Sequence, residues 1–150
     1  MNASEFDLTA ISQALDDHDP DREHFLEVGT GALWTFVFSE ATDETRKQYL
    51  EVTESAERWI RLPSMSLQEA YEEIEDFVDS LPDGQVQDQL YSALERKGAL
   101  RNFREAIMAL SEERQGWMVH RRERSRARLE RFLARLDPAG GALVAREATS

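Results

Sequence analysis

The chain contains no cysteine among its 150 residues, which excludes disulfide bonds and thiolate chemistry. It also lacks any hydrophobic run near the ~20 residues that cross a bilayer, so we expect neither a membrane span nor a membrane partner. The opening stretch, MNASEFDLTAIS, is acidic and amphipathic, which is unlike a signal peptide. These absences together favour a cytoplasmic protein.

Basic residues are the scarcer charge, with 18 Lys and Arg against 30 Asp and Glu and a formal net charge of −12. Residues 1–100 hold 7 basic and 23 acidic residues, a net −16, whereas residues 101–150 hold 11 and 7, a net +4. An acidic body of this kind repels nucleic-acid phosphates. The basic end can attract an acidic partner or the chain's own acidic surface.

Hydrophobic spacing in the first half predicts one helix, a hairpin and a second helix. The first helix is expected over residues 7–17. Alternating apolar residues on both sides of Gly29-Thr30-Gly31 predict an antiparallel hairpin, and ERWIRLP is a candidate third strand. A further helix is predicted from Thr42 to about Ala56.

The second half reads as a series of helices. Ser66 and Glu69 form a capping-box pattern before a strongly periodic helix. Gly98 stands between two later helices, where a left-handed glycine ends a helix at little cost. A long final helix is expected over about 112–136. We predict that the aromatic side chains of Trp59, Tyr71, Phe77 and Phe103 belong to the core.

The predicted fold class is therefore α+β, mainly α. We expect an N-terminal helix, a small antiparallel hairpin of two or three strands, and then a bundle of four to five helices. Residues 1–137 are predicted to form a single domain. Residues 138–150, with two glycines, a proline and no periodicity, are predicted to be a flexible tail.

Three runs resemble uncharacterised protein family 0158, a bacterial family of small and mostly acidic proteins. RWIRLP at Arg58–Pro63 is similar to an aromatic-Ile-x-Leu-Pro segment of that family, and EAYEEIEDF at Glu69–Phe77 to its Tyr-centred helix. ALERKGALRNFREAI at Ala93–Ile107 resembles its most recognisable run, KGAF followed by RRFKDAI. Trp117 then falls where the family usually has a Trp.

The third run departs from the family pattern at three positions. Leu100 stands in place of Phe, Asn102 in place of Arg, and Glu105 in place of Asp, so a surface on this helix carries one positive charge fewer. The resemblance implies a mainly helical domain with a small strand element and no assigned activity.

Basic side chains cluster around Gly98, and we call this cluster the basic elbow. A helix pair joined by such a turn is similar to a helix-turn-helix reader of DNA, although its Ala93-to-Gly98 spacing is one residue longer than that motif requires. Alternatively, Arg101 and Arg104 pair with acidic residues of the preceding helices and fix the angle of the turn. The basic elbow comprises Arg96, Lys97, Arg101 and Arg104.

Five arginines of the last helix recur at spacings of 3, 4, 3 and 4, which places them on one helix face; we call them the arginine stripe. They suit a partner that carries carboxylates or phosphates. The alternative is that they face water or the protein's own acidic helices, laced by Arg126 with Glu130 and with Glu123. The stripe comprises Arg121, Arg124, Arg128, Arg131 and Arg135.

The stretch DDHDPDREH offers an imperfect metal site. Asp17, Asp19 and Asp21 imitate the first ligands of an EF-hand, but a proline interrupts the loop and neither the glycine nor the final glutamate is in place. His18 and His24 lie near Asp21 without the spacing of a known transition-metal motif. We predict a solvated acidic loop and no metal.

Catalytic signatures are equally incomplete. Gly29-Thr30-Gly31 precedes a strand, whereas a phosphate loop precedes a helix. The acidic residues of 72–76 occupy one helical run that is typical of a solvated face. We therefore expect no enzyme activity and no cofactor.

The predicted function is that of a non-catalytic interaction or regulatory module with a protein partner. A nucleic-acid- or ribosome-associated protein that uses the basic elbow and the arginine stripe is the alternative. The sequence leaves the oligomeric state open.

Overall fold

A computed structural model describes residues 6–136 of the chain. Six α-helices and three strands lie in this part, joined by one short 3-10 turn at Phe38–Glu40. In chain order they are α1 (Leu8–Leu15), β1 (Arg22–Glu27), β2 (Leu33–Val37), α2 (Asp43–Glu54), β3 (Trp59–Arg61), α3 (Leu67–Asp79), α4 (Gln85–Glu95), α5 (Ala99–Met108) and α6 (Ser111–Leu136).

Short polar side chains begin three of the helices by accepting hydrogen bonds from backbone N–H groups that the first turn leaves without partners. Asp7 caps α1, Thr42 caps α2 and Ser66 caps α3. The predicted helix starts at Thr42 and Ser66 are confirmed. Helix α2 ends at Glu54, two residues before the approximate end predicted at Ala56, whose side chain is exposed.

The described residues form two compact units. The first contains residues 6–65 and 125–136, and the second contains residues 66–124. Helix α6 contributes its beginning to the second unit and its end, from Ser125, to the first.

The first unit contains an antiparallel sheet of three strands in the order β2-β1-β3. The predicted hairpin and the third strand are thereby confirmed. On the central strand, Phe25 lies opposite Trp34 and Arg61, while its neighbour Leu26 lies opposite Leu33 and Ile60. Because consecutive side chains of a strand point to opposite faces, Phe25 and Leu26 begin two separate apolar layers.

Each face of this sheet is covered by helices. The aromatic face packs against α2, whose Tyr49 ring lies 4.5 Å from that of Phe36 and 6.0 Å from that of Phe25. The opposite face packs against α1 and the end of α6. The buried residues of this second layer are Phe6, Ile11, Ala14, Leu15, Leu26, Leu62, Phe132 and Leu133.

The second unit packs α3, α4, α5 and the beginning of α6 around an aromatic centre. The ring of Trp117 lies 5.4 Å from that of Phe77 and 5.0 Å from that of Phe103. Phe77 and Phe103 are buried as predicted, whereas Trp59 of the first unit and Tyr71 are only half-buried.

The fold class is confirmed as α+β and mainly α, with five helices after the hairpin in the described part of the chain. The single domain over residues 1–137 stays a prediction. The predicted flexible tail, residues 138–150, lies outside the described residues. Within residues 6–136, no helix is long and apolar enough to cross a membrane.

Gly98 makes the turn between α4 and α5 with φ of +81° and ψ of +39°, the left-handed conformation that the sequence predicts. A Cβ added there would meet nothing closer than Oδ1 of Asn102 at 3.9 Å. A substitution at this position is therefore resisted by backbone strain and not by crowding.

We expect Gly98→Val to lower the free energy of unfolding by about 1–3 kcal/mol, because a β-branched residue is strained in the left-handed region. Gly98→Asn is the matched control, since asparagine tolerates that region. Urea denaturation followed by circular dichroism measures both. Equal stability of the Val variant and the wild type would contradict the assignment.

Candidate functional site: the basic elbow and the arginine stripe

The basic elbow belongs wholly to the second unit. Arg96 and Lys97 lie in the turn between α4 and α5, and Arg101 and Arg104 lie on α5. All four side chains are exposed. The structure therefore places these predicted residues around one turn of the chain, with Gly98 at its centre.

Asn102 fixes the shape of this turn. Its side-chain amide donates hydrogen bonds to the carbonyl oxygens of Ala93 at 3.2 Å and Lys97 at 3.0 Å. Carbonyls at the end of a helix have no partner within the helix, so these bonds close the end of α4. The family pattern marks Asn102 as a departure and does not predict its capping role. Its position four residues after a turn glycine is the signal that indicates a capping role.

Three of the four elbow cations have no ion pair within residues 6–136; these are Arg96, Lys97 and Arg104. Arg101 pairs with Glu105, one turn further along α5, with Nε 3.2 Å from Oε1. The expectation that Arg101 and Arg104 pair with acidic residues of the preceding helices is wrong, since Arg101 pairs within its own helix. The elbow thus presents positive charge to solvent.

The arginine stripe divides between the two units. In the second unit, Nη2 of Arg124 lies 2.7 Å from Oδ2 of Asp76, and both side chains are about half exposed. In the first unit, Arg128 pairs with Asp16 at the end of α1. These two arginines are held by the protein's own acidic residues.

The pair formed by Arg128 and Asp16 is well protected from solvent, with side chains only 11% and 21% exposed. Nε and Nη2 of Arg128 donate to Oδ1 of Asp16 at 3.0 and 2.8 Å. The hydroxyl of Ser125 donates to Oδ2 of the same carboxylate at 2.6 Å and lies 3.0 Å from the hydroxyl of Ser12. This network ties the end of α6 to α1.

The other three stripe arginines, Arg121, Arg131 and Arg135, are exposed and make no ion pair with any residue of the range 6–136. The predicted ion pairs of Arg126 with Glu123 and Glu130 are also absent within residues 6–136. The stripe therefore combines two structural arginines with three that are open to solvent.

The acidic loop before β1 is organised by protein contacts. Asp17 accepts hydrogen bonds from Nε and Nη2 of Arg22 at 2.7 and 2.9 Å, and Nε2 of His24 lies 2.7 Å from the same carboxylate. The backbone N–H groups of Asp19 and Asp21 bond to the preceding Asp17 and Asp19 carboxylates. No cluster of acidic or histidine side chains within residues 6–136 is arranged to hold a metal ion.

Hydrogen bonds shift the pKa of several groups. The pKa of the Asp17 carboxyl lies well below its usual range, chiefly because Arg22 donates to it. The hydroxyl of Thr30 and the guanidinium of Arg58 lower the pKa of Glu27. A hydrogen bond to Asp79 raises the pKa of Tyr91 to about 12.

The turn Gly29-Thr30-Gly31 is a hairpin connection, as predicted. Oγ1 of Thr30 donates to Oε1 of Glu27 at 2.5 Å and accepts from the N–H of Ala32 at 3.2 Å. Gly31 has a φ of +78°, which glycine adopts without strain. The hydroxyl is therefore engaged in holding the turn.

Residues 4–139 match the uncharacterised protein family UPF0158. The chain belongs to this family. A UPF0158 protein of Chlamydia pneumoniae is 25% identical over 127 residues, which cover 84% of this chain but only 39% of the relative. The chain thus spans well under half the length of that family member. No solved structure matches the chain.

We expect Arg128→Gln to lower the free energy of unfolding by about 1–3 kcal/mol, since it leaves the carboxylate of Asp16 without its charged partner. Arg124→Gln removes a half-exposed pair, and such pairs contribute about 0–1 kcal/mol. Urea midpoints of the two variants test the difference. Equal losses of unfolding free energy in the two variants would contradict the greater structural importance of the protected Arg128 pair.

The lowered pKa of Asp17 predicts a pH-dependent contribution to stability. A carboxyl whose pKa is depressed by folding stabilises the protein above the usual Asp pKa, and this contribution fades as the pH falls below about 4. Asp17→Asn should cost about 1–2 kcal/mol at pH 7. The difference from the wild type should shrink on acidification.

Glu57→Gln is the control for this experiment, because it removes the same charge from an exposed carboxyl without a hydrogen bond to any described residue. Denaturation curves between pH 7 and about pH 3 measure the effect. A loss for Asp17→Asn that stays constant over this interval would contradict the prediction.

Proposed function

We propose that the protein is a non-catalytic interaction or regulatory module of the bacterial cytoplasm, whose basic elbow binds an acidic surface of a protein partner. The observation that supports this proposal is the group formed by Arg96, Lys97 and Arg104, exposed and without ion pairs in the described part of the chain. Guanidinium and ammonium groups in this state can donate hydrogen bonds to carboxylates without first breaking bonds within the protein.

Rigidity of the turn favours recognition. Gly98 and the bonds made by Asn102 hold the backbone of the elbow in one conformation. A surface that is ordered before binding loses less conformational entropy when a partner arrives. The elbow can therefore use its charges for affinity and specificity.

Charge favours a protein over a nucleic acid as the partner. The chain as a whole has a net charge of −12, so a long polyanion would be repelled by much of its surface. A small acidic patch on a protein partner can contact the elbow without approaching the acidic surface elsewhere on the chain. A nucleic-acid- or ribosome-associated role remains the alternative outcome of the test below.

The test uses the full chain as bait in affinity capture from bacterial lysate, with and without nuclease. The elbow variant carries Arg96→Gln, Lys97→Gln and Arg104→Gln. The control variant carries Arg46→Gln, Lys47→Gln and Arg126→Gln, which remove the same charge from exposed positions outside the elbow. We expect the elbow variant alone to lose its partner, and recovery by the wild type to decline with salt.

Nuclease distinguishes the two functions. Recovery that survives nuclease supports a protein partner, whereas recovery that disappears with nuclease, together with salt-sensitive binding of purified RNA or DNA, supports the alternative. Equal recovery by the elbow and control variants would overturn a role for the elbow in either.

A further inference from the structure

The hydrogen bonds at both ends of the hairpin determine which groups of β2 bond to β1. The N–H of Glu27 donates to the carbonyl oxygen of Ala32 at 2.8 Å, and the N–H of Phe38 donates to the carbonyl oxygen of Asp21 at 2.9 Å. Bonded and non-bonded pairs alternate along an antiparallel ladder. In the observed register, the residues of β2 that bond to β1 are therefore Trp34 and Phe36.

The backbone groups of Leu33, Thr35 and Val37 consequently point away from β1, along the outer edge of the sheet. Among the strands of residues 6–136, β1 is the only neighbour of β2 in the sheet. No residue within 6–136 forms a hydrogen bond with the N–H or C=O of these three residues. The outer edge of β2 thus carries three N–H donors and three C=O acceptors without a hydrogen-bond partner in the described part of the chain.

This edge lacks the features that usually prevent pairing. The strand LWTFV contains no charged residue, no proline and no glycine, and these are common means of blocking an exposed edge. By contrast, the outer edge of β3 belongs to a three-residue strand that carries Arg61. Of the two outer edges, that of β2 is therefore the one without such residues.

We propose that β2 pairs with β2 of a second copy of this chain, antiparallel and around a two-fold axis at Thr35. In this register Thr35 lies opposite Thr35 of the second copy, and Leu33 lies opposite Val37. Each outward-facing residue then forms two backbone hydrogen bonds, one through its N–H and one through its C=O, with the residue opposite it in the second copy. Two sheets of three strands become one sheet of six.

Side chains match in the same register. Leu33 meets Val37 of the second copy on one face, and Trp34 meets Phe36 on the other, so that apolar residues oppose apolar residues. No acidic side chain is placed directly opposite another, although the chain carries 30 of them.

Because β2 matches itself in this way, we infer that the partner strand comes from a second copy of this chain. A charged peptide segment would find no opposite charge on LWTFV, and two chains with a net charge of −12 each can approach most easily along an uncharged strip. Both copies use the same strand in this contact, so the interface is isologous and assembly stops at a dimer.

The first experiment is cross-linking at Thr35. Opposed bonded residues of an antiparallel pair have Cα atoms about 5.5 Å apart and Cβ atoms about 5 Å apart or slightly more, which is too long for an unstrained disulfide but within reach of a short reagent that joins two thiols. Since the sequence has no cysteine, Thr35→Cys treated with such a reagent should give a covalent dimer. Gln48→Cys, on the exposed side of α2, is the control and should stay monomeric. Equal cross-linking of the two variants would overturn the proposal.

The second experiment is sedimentation of the full chain over the micromolar range. The wild type should form dimers, and Thr35→Pro should be monomeric with an unchanged circular dichroism spectrum. The N–H it removes bonds to no residue of the range 6–136, and the hydroxyl it removes makes one exposed hydrogen bond, to Nδ1 of His24. Thr35→Lys should also be monomeric, since it brings like charges together at the axis. Wild-type monomers, open aggregates, or dimers that survive both substitutions would overturn the proposal.

Discussion

The first unit depends on the burial of two consecutive residues of β1, Phe25 and Leu26, on opposite faces of the sheet. A sheet of three short strands has little stability of its own in water. Each face must therefore be covered, and α2 covers one face while α1 and the end of α6 cover the other. The register of all three strands follows from this constraint, because a shift by one residue would exchange the faces.

In the second unit, the elbow shows how a surface can be ordered by a few polar bonds. The left-handed Gly98 allows the chain to turn, and Asn102 bonds to carbonyls that the end of α4 leaves open. Neither residue carries a charge. The backbone that carries Arg96, Lys97 and Arg104 is thereby ordered without an ion pair to any of these three side chains in the described part of the chain.

Local features of this chain were predictable and distant partnerships were not. The period of apolar residues in α3, the capping serine before it and the glycine of the elbow each depend on neighbours within a few residues, so the sequence indicates them. The pair of Arg128 with Asp16 joins residues 112 apart, and no local pattern selects that aspartate from 30 acidic residues. For the same reason, the spacing of the stripe indicated a common helix face but not which arginines are engaged.

This separation of Arg128 from Asp16 also affects the order in which the chain can fold during synthesis. Asp16 is synthesised before its guanidinium partner, which is added 112 residues later, after about 6–22 s at the usual rate of translation. Throughout that interval one side of the sheet lacks α6, and the apolar residues Ile11 and Leu15 of α1 have an incomplete covering. The second unit, by contrast, is built from helices adjacent in sequence and can pack α4 against α5 as soon as both have emerged. Synthesis of α6 therefore determines when the apolar face of α1 becomes fully covered.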